Sequence, residues 1–119
     1  MYGLPEDFDG SFFVGRLLEV VSYTTNSVFL GFDNGVSITI ESSFEYRSAI
    51  NEAHVERHRV PVRSSSVMQL VGHSVEAVEA EREGTLTLRF KGGHVFRCFD
   101  DQPNYESYRI AHGNDEIFV

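Results

Sequence analysis

The sequence predicts a mainly β fold (α+β, with short helices). One helix–β-meander unit, internally duplicated, closes as a barrel-like or two-sheet domain. Three observations carry that expectation. The first is an internal repeat. Val14-Gly15 opens one copy and Val71-Gly72 the other, Glu19 matches Glu76, and Leu18 and Val21 match Val75 and Val78. After a one-residue slip, Val28, Leu30 and Phe32 match Leu86, Leu88 and Phe90, and Ile38 and Ile40 match Phe96 and Cys98. The second is period-two alternation of apolar and small or polar residues, the mark of strands with one buried face. The third is turn chemistry: Asp33-Asn34-Gly35 and Lys91-Gly92-Gly93 stand where each meander must reverse.

The elements follow in order. Asp9 precedes Ser11-Phe12-Phe13, and residues 64–66 are serines that precede Val67-Met68-Gln69-Leu70. Both read as one or two capped helical turns, stopped by Gly15 and Gly72. Residues 16–23 and 73–80 carry apolar residues three apart; a strand with a bulge gives that spacing, and so does a helical turn. The hairpin strands come next, Val28 to Phe32 with Val36 to Ile40, and Leu86 to Phe90 with Phe96 and Cys98. Val28, Leu30, Phe32, Ile38, Leu86, Leu88, Phe90 and Phe96 are the expected shared core. A closing arm ends each copy, Phe44-Glu45-Tyr46-Arg47 aligning with Tyr105-Glu106-Ser107-Tyr108-Arg109. The copies span about residues 8–47 and 65–109 within a single domain, 1–119, joined by a linker over 48–64. Within the linker, 44–48 returning as 54–60 reads as a hairpin, with a helix over 48–53 as the alternative; Pro61 ends either.

The chain has 119 residues, 41% hydrophobic and with ten Phe. Folding at this size buries roughly 65% of the unfolded surface, enough for one core without covalent staples. Cys98 is the only cysteine, so no intramolecular disulfide forms, as suits a reducing cytoplasm. Met1-Tyr2-Gly3-Leu4-Pro5-Glu6-Asp7 has neither the basic nor the apolar stretch of a signal peptide. No apolar run reaches membrane-spanning length. The expected location is the cytoplasm, with no membrane partner. Net charge is −8, from 18 acidic and 10 basic residues. That opposes binding to a nucleic-acid backbone. It suits solubility, or steering toward a basic partner.

Candidate chemistry is sparse. His54 and His58 flank Glu56, four residues apart. On a helix the two rings would lie about 6 Å apart and could share a metal. On a strand they share a face but stand roughly 13 Å apart along it, too far to chelate together. The same spacing separates His94 from Cys98, and Cys98 stands where the first copy has Ile40, a core place. Asp100-Asp101, Glu106 and Asp115-Glu116 lack the regularity of a calcium loop. No glycine-rich phosphate loop follows a strand, and 64–66 lack the glycines of a nucleophile elbow. The expectation is no catalytic residue, no metal and no cofactor. One segment stands out, from Asp100 to Ile110. It joins Asp100, Asp101 and Glu106 to Tyr105 and Tyr108, and a Tyr ring with a polar tip suits an interface.

The pattern Leu86-x-Leu88-x-Phe90-x-x-Gly93, then Asp100-Asp101 and Tyr105-Glu106-Ser107-Tyr108-x-Ile110, resembles a family of small bacterial proteins of unassigned function. The resemblance covers most of the chain, with its specific motifs in the C-terminal half. Lys91-Gly92-Gly93 departs from the acidic turn more usual there. Similar small acidic proteins often serve as antidotes to toxins, and the resemblance implies an immunity-protein-like role without naming any catalytic residue. The expected function is therefore a non-enzymatic acidic protein-binding module. Its partner would be a protein, such as a basic toxin, met by Asp100, Asp101, Tyr105, Glu106 and Tyr108. The alternatives are a small-molecule binder or enzyme with a pocket between the half-repeats, and a homodimeric structural module.

Overall fold

The computed structural model describes residues 3–50, 54–62 and 64–119. Ten strands run in chain order: β1 (Leu18–Tyr23), β2 (Val28–Phe32), β3 (Val36–Ile40), β4 (Ser43–Arg47), β5 (Val55–Arg59), β6 (Val75–Ala80), β7 (Leu86–Phe90), β8 (Val95–Cys98), β9 (Tyr108–His112) and β10 (Asp115–Phe118). A 3₁₀ turn precedes each meander, Ser11–Phe13 before β1 and Ser66–Leu70 before β6. Ser65 caps the second turn, its hydroxyl accepting the Val67 N–H at 3.1 Å; the first turn has Gly10 at its N-cap, and Asp9 accepts the Ser11 N–H at 2.9 Å from one residue further out. Gly15 and Gly72 then turn the chain at φ +85° and +91°, a region open to glycine without steric cost.

All pairings are antiparallel and make two five-stranded sheets, β1-β2-β3-β9-β10 and β5-β4-β8-β7-β6. Each half contributes a three-strand meander to one sheet, and its following hairpin crosses to the other. The hairpin expected over 44–48 and 54–60 is β4–β5, with Phe44 opposite His58 and Tyr46 opposite Glu56. Of the helix alternative over 48–53, Ser48, Ala49 and Ile50 are not helical, and residues 51–53 lie outside the described residues. The bulge readings of 16–23 and 73–80 hold. Register shifts between Leu18 and Val20 and between Val75 and Ala77, leaving Glu19 and Glu76 as the extra residues.

The barrel-like closure does not occur, because the described sheets keep free edges at β5 and β10. Near the other edges, a single isolated bridge joins Leu17 to Ser74. The hydrogen bonds around it are reciprocal. Gly15 donates to the Val75 carbonyl and Gly72 to the Leu18 carbonyl, both at 2.8 Å. Leu18 donates to His73 at 3.0 Å and Val75 to Arg16 at 2.9 Å.

One hydrophobic cluster fills the space between the sheets, and every expected core residue is in it. Leu30, Ile38, Leu86, Leu88 and Phe96 are 0% exposed. Alternation explains this directly. With a period of two, one face of each strand is apolar, and the sheets turn those faces toward each other.

Candidate functional site

The crossings between sheets are unequal. From β3 to β4 the chain spends residues 41–42, and from β8 to β9 it spends residues 99–107. The longer crossing carries most of the acid–tyrosine segment. Its shoulders are tied down. Ser42 Oγ donates to the Phe99 carbonyl at 2.7 Å, and the Gln102 side chain donates to the Glu41 carbonyl at 2.8 Å. The Gln102 N–H donates to Ser107 Oγ at 3.0 Å. Between these ties Pro103, Asn104 and Tyr105 are exposed.

The five residues singled out by sequence separate into roles. Asp100 turns inward. Its two oxygens accept the Ser107 hydroxyl and the Gly3 N–H, each at 2.7 Å. Asp101 turns outward, accepts the Ser43 hydroxyl and pairs with Arg59 at 3.2 Å. Tyr105 is 50% exposed. It rims a shallow cleft of about 310 Å³ with Thr25, Asn26, Glu41, Val60, Pro61 and Gln102. Glu106 is half-buried beside it.

Tyr108 corrects the expectation of an exposed anchor. It is 0% exposed, its hydroxyl donates to the Gly84 carbonyl at 2.6 Å, and burial pushes its phenol well above the usual range. The reason lies in the register. Tyr108 stands opposite Ile40 on β3, as Phe44 stands opposite Cys98 on β8. Tyr108 thus takes the core place of Phe44, not that of Tyr46 or Arg47, and the extra residues of the crossing shift the alignment of the closing arms. The structure brings Asp101, Tyr105 and Glu106 to one end of the sheets and assigns Asp100 and Tyr108 to holding that end together.

The histidines also gather differently from their spacing. Glu56 and His58 share one face of β5 and His54 immediately precedes the strand, but both rings bend toward the residue between them. His54 Nε2 and His58 Nε2 lie 2.5 and 2.9 Å from the two Glu56 oxygens. Glu56 also accepts the Ser66 N–H at 2.9 Å, tying the edge strand to the second 3₁₀ turn. Burial works against this carboxylate's charge, but the hydrogen bonds from His58, Ser66 and His54 outweigh it and hold the pKa far below the usual range. Among the described residues no group of three His, Cys, Asp or Glu is arranged to hold a metal ion. Cys98 is fully buried and burial pushes its thiol up, which suits a core residue and not a nucleophile.

Sequence reasoning missed a polar cluster around His94. Its Nδ1 receives the Ala49 N–H at 3.3 Å and lies 3.1 Å from the Tyr46 hydroxyl. A backbone N–H can only donate, so Nδ1 is the acceptor and the neutral ring carries its proton on Nε2, while the Tyr46 hydroxyl stands between Nδ1 and Gln69 Oε1, 3.4 Å away. Burial first, then the neighbouring His73 ring 4.8 Å away, push the His94 pKa below its ordinary value. The available signal was a polar residue at a core position: His94 stands where the first half has Val36.

A groove of about 570 Å³ lies where the halves meet, lined by Phe8, Gly10, Val14 and Val78 with Asp9 and Glu76. Asp9 is committed to the Ser11 N–H, which holds its carboxyl low. No hydrogen-bonded nucleophile–base pair lines the groove among the described residues. No described helix is long and apolar enough to cross a membrane.

No curated protein and no solved structure matches the chain. One family model does, over residues 12–119, from the first 3₁₀ turn through β10 and so across both sheets. Its description, a family of unknown function, agrees with the expectation of a family without an assigned function. This chain belongs to that family, DUF6188.

Proposed function

We propose that this protein is a non-enzymatic protein-binding module of the immunity-protein kind, and that the crossing 99–107 carries its partner contacts. The observation that carries the proposal is Tyr105, a half-exposed ring on an anchored loop, at the rim of a cleft. A ring carried on an anchored backbone leaves less chain entropy to lose on binding, and aromatic anchors dominate interface energies. Glu41 lines the same cleft, and Asp101 and Glu106 flank Tyr105 in the crossing, in a chain of net charge −8. Charge of one sign speeds encounter with a basic partner.

The test is capture from the source organism's lysate with immobilised wild-type protein and Tyr105→Ala side by side. A partner held by the wild type should dissociate from Tyr105→Ala at least ~30-fold faster, the equivalent of about 2 kcal/mol. Glu106→Gln should slow association and flatten its salt dependence, leaving dissociation nearly unchanged. If the two proteins capture the same set with the same kinetics, the crossing is structural.

We infer too that the two halves descend from one duplicated unit. Matching bulges at Glu19 and Glu76, reciprocal bonds around Leu17 and Ser74, and mirrored strand orders support this reading. On that reading residues 99–107 are an addition to one copy. Additions at crossings are free of core packing and are common seats of recognition.

A further inference from the structure

Most of the partly buried negative charge on this chain is paired. Six of the described acids are partly covered by their neighbours, and four of these have donors. Asp33 accepts the Leu17 N–H, Glu45 the Arg97 guanidinium, Glu56 the Ser66 N–H and Asp100 the Gly3 N–H. The other two are Glu41 and Glu106. Among the described residues neither side chain has a hydrogen bond or an ion pair. A carboxylate drawn partly out of water without a donor is a charge the fold leaves unsatisfied. Both belong to the surroundings of Tyr105: Glu106 follows it in the chain, and Glu41 lines its cleft.

That cleft, of about 310 Å³, is at the small end of ligand sites, and its lining is of three kinds. Val60 and Pro61 are apolar. Tyr105 is an aromatic ring, half-exposed to solvent. Glu41, Gln102, Thr25 and Asn26 supply oxygens. Gln102 donates an amide N–H to the Glu41 carbonyl at 2.8 Å, so its side-chain oxygen is left to accept. Among the described residues no lysine, arginine or histidine lines the cleft. Acceptors and a ring are therefore gathered there without a cation of the chain's own.

We propose that this cleft takes an arginine side chain of the protein partner, with the guanidinium against Tyr105 and paired to Glu41. The inference rests on the protein-binding reading above for the source of that cation. The chemistry favours arginine over lysine. A guanidinium carries five N–H donors in one plane, is weakly hydrated and stacks on aromatic faces, whereas an ammonium is a compact, strongly hydrated point charge. Its fork of donors matches the two oxygens of a carboxylate, and the remaining donors suit the oxygens of Gln102, Thr25 and Asn26. Val60 and Pro61 suit the apolar stem of the same side chain. A net charge of −8 draws cations toward the molecule, and Glu41 gives that attraction a fixed end point. Glu106 adds to the local field.

The probe is N-acetyl-arginine amide, titrated into the isotope-labelled full chain and read by amide NMR shifts. Saturable shifts should cluster at Thr25, Asn26, Glu41, Gln102 and Tyr105, with Kd on the order of millimolar for a single side chain. The lysine analogue should bind at least ~3-fold more weakly and the neutral citrulline analogue at least ~10-fold. Glu41→Gln should weaken the arginine probe at least ~5-fold, and Tyr105→Leu at least ~3-fold. Glu19→Gln removes the same charge from an exposed place on β1 and should change binding less than ~1.5-fold. The amide spectrum of each variant reports its fold. Absence of saturable shifts up to ~50 mM probe overturns the proposal. So does a lysine or citrulline analogue that binds equally, or a Glu41→Gln variant that binds as the wild type does. A partner captured from lysate, released faster by Tyr105→Ala but not by Glu41→Gln, overturns the arginine subsite and leaves the protein-binding reading intact. Arginine binding as described, with no partner captured, upholds the subsite and overturns that reading instead.

Discussion

Leu30 and Leu88 stand at matching places in the two sheets, one opposite Ile38 and the other opposite Phe96, and both are 0% exposed. A little further along, the halves part. Ile40 is followed by a crossing of residues 41–42, and Cys98 by one of residues 99–107. Outside the core they part again, with arginine–glutamate pairs on one sheet and bare Val20 and Phe118 on the other. The comparison teaches where the fold tolerates difference. Interior places are bound by close packing, in which one methylene matters. Crossings and outer faces are bound only by the need to satisfy backbone groups and stay wetted. That is where two similar halves can acquire separate uses.

The largest expected effect tests the similarity of the interiors. Leu30→Ala and Leu88→Ala should each cost about 2–5 kcal/mol in urea unfolding, through lost burial and the cavity left behind. A twofold or greater disparity between them would break the comparison, since it would mean that one sheet carries the core and the other leans on it.

Next comes Gly84, which has no counterpart in the first half. It sits at φ +110°, its carbonyl accepts the Tyr108 hydroxyl, and an added Cβ would lie 2.3 Å from Asp100 Cβ. Gly84→Ala should cost about 1–3 kcal/mol from backbone strain alone, and more once Asp100 is displaced. The same variant should loosen residues 99–107 selectively, read as faster amide exchange there than in β1–β3. Uniform acceleration would place the strain elsewhere.

Acid should sharpen the contrast in two steps. His94, at the place of Val36, has a pKa held below its ordinary value of 6.5. The unfolded chain therefore takes up that proton first, and stability falls as pH drops below about 6.5. Glu56 has its pKa lowered from 4.5, so its contribution is complete above that pH and is lost as pH falls further. His94→Gln should flatten the upper step and Glu56→Gln the lower, in urea midpoints taken from pH 7 to about pH 2. A single step unaffected by His94→Gln would remove His94 from the account.

The smallest effect belongs to the outer arginine–glutamate pairs. Arg89 and Glu79 are both substantially exposed, so Arg89→Gln should cost at most about 1 kcal/mol and vanish at high salt. A salt-independent loss would mean that the arginine stem matters by covering Thr87, which is buried despite pointing outward.

Much of this was legible in the residues themselves. Alternation located the hairpin strands, because a side chain's face depends on its parity in the chain. Asn34-Gly35 marked a hairpin, and both residues do adopt positive φ, +57° and +71°. The three-residue spacing of Leu18 and Val21 was a bulge in a strand, as read. Within the candidate site, residue types alone did not separate Tyr105, which is half-exposed, from Tyr108, which is buried. Sequence distance from Phe44 and Tyr46 suggested the wrong counterpart, since a longer crossing moves the register without changing the residue types.

By itself, then, the sequence determined the strands, turns, bulges and inward faces, because each follows from steric preferences acting over a few neighbours. Only the tertiary structure decided that β4–β5 and β9–β10 leave their own meanders for the opposite sheets. It also decided that Asp100 turns in while Asp101 turns out, and that His54 and His58 close on one carboxylate. Those outcomes depend on which sheet edge is free to pair and which buried donor lacks an acceptor. Both are set by residues far away in the chain.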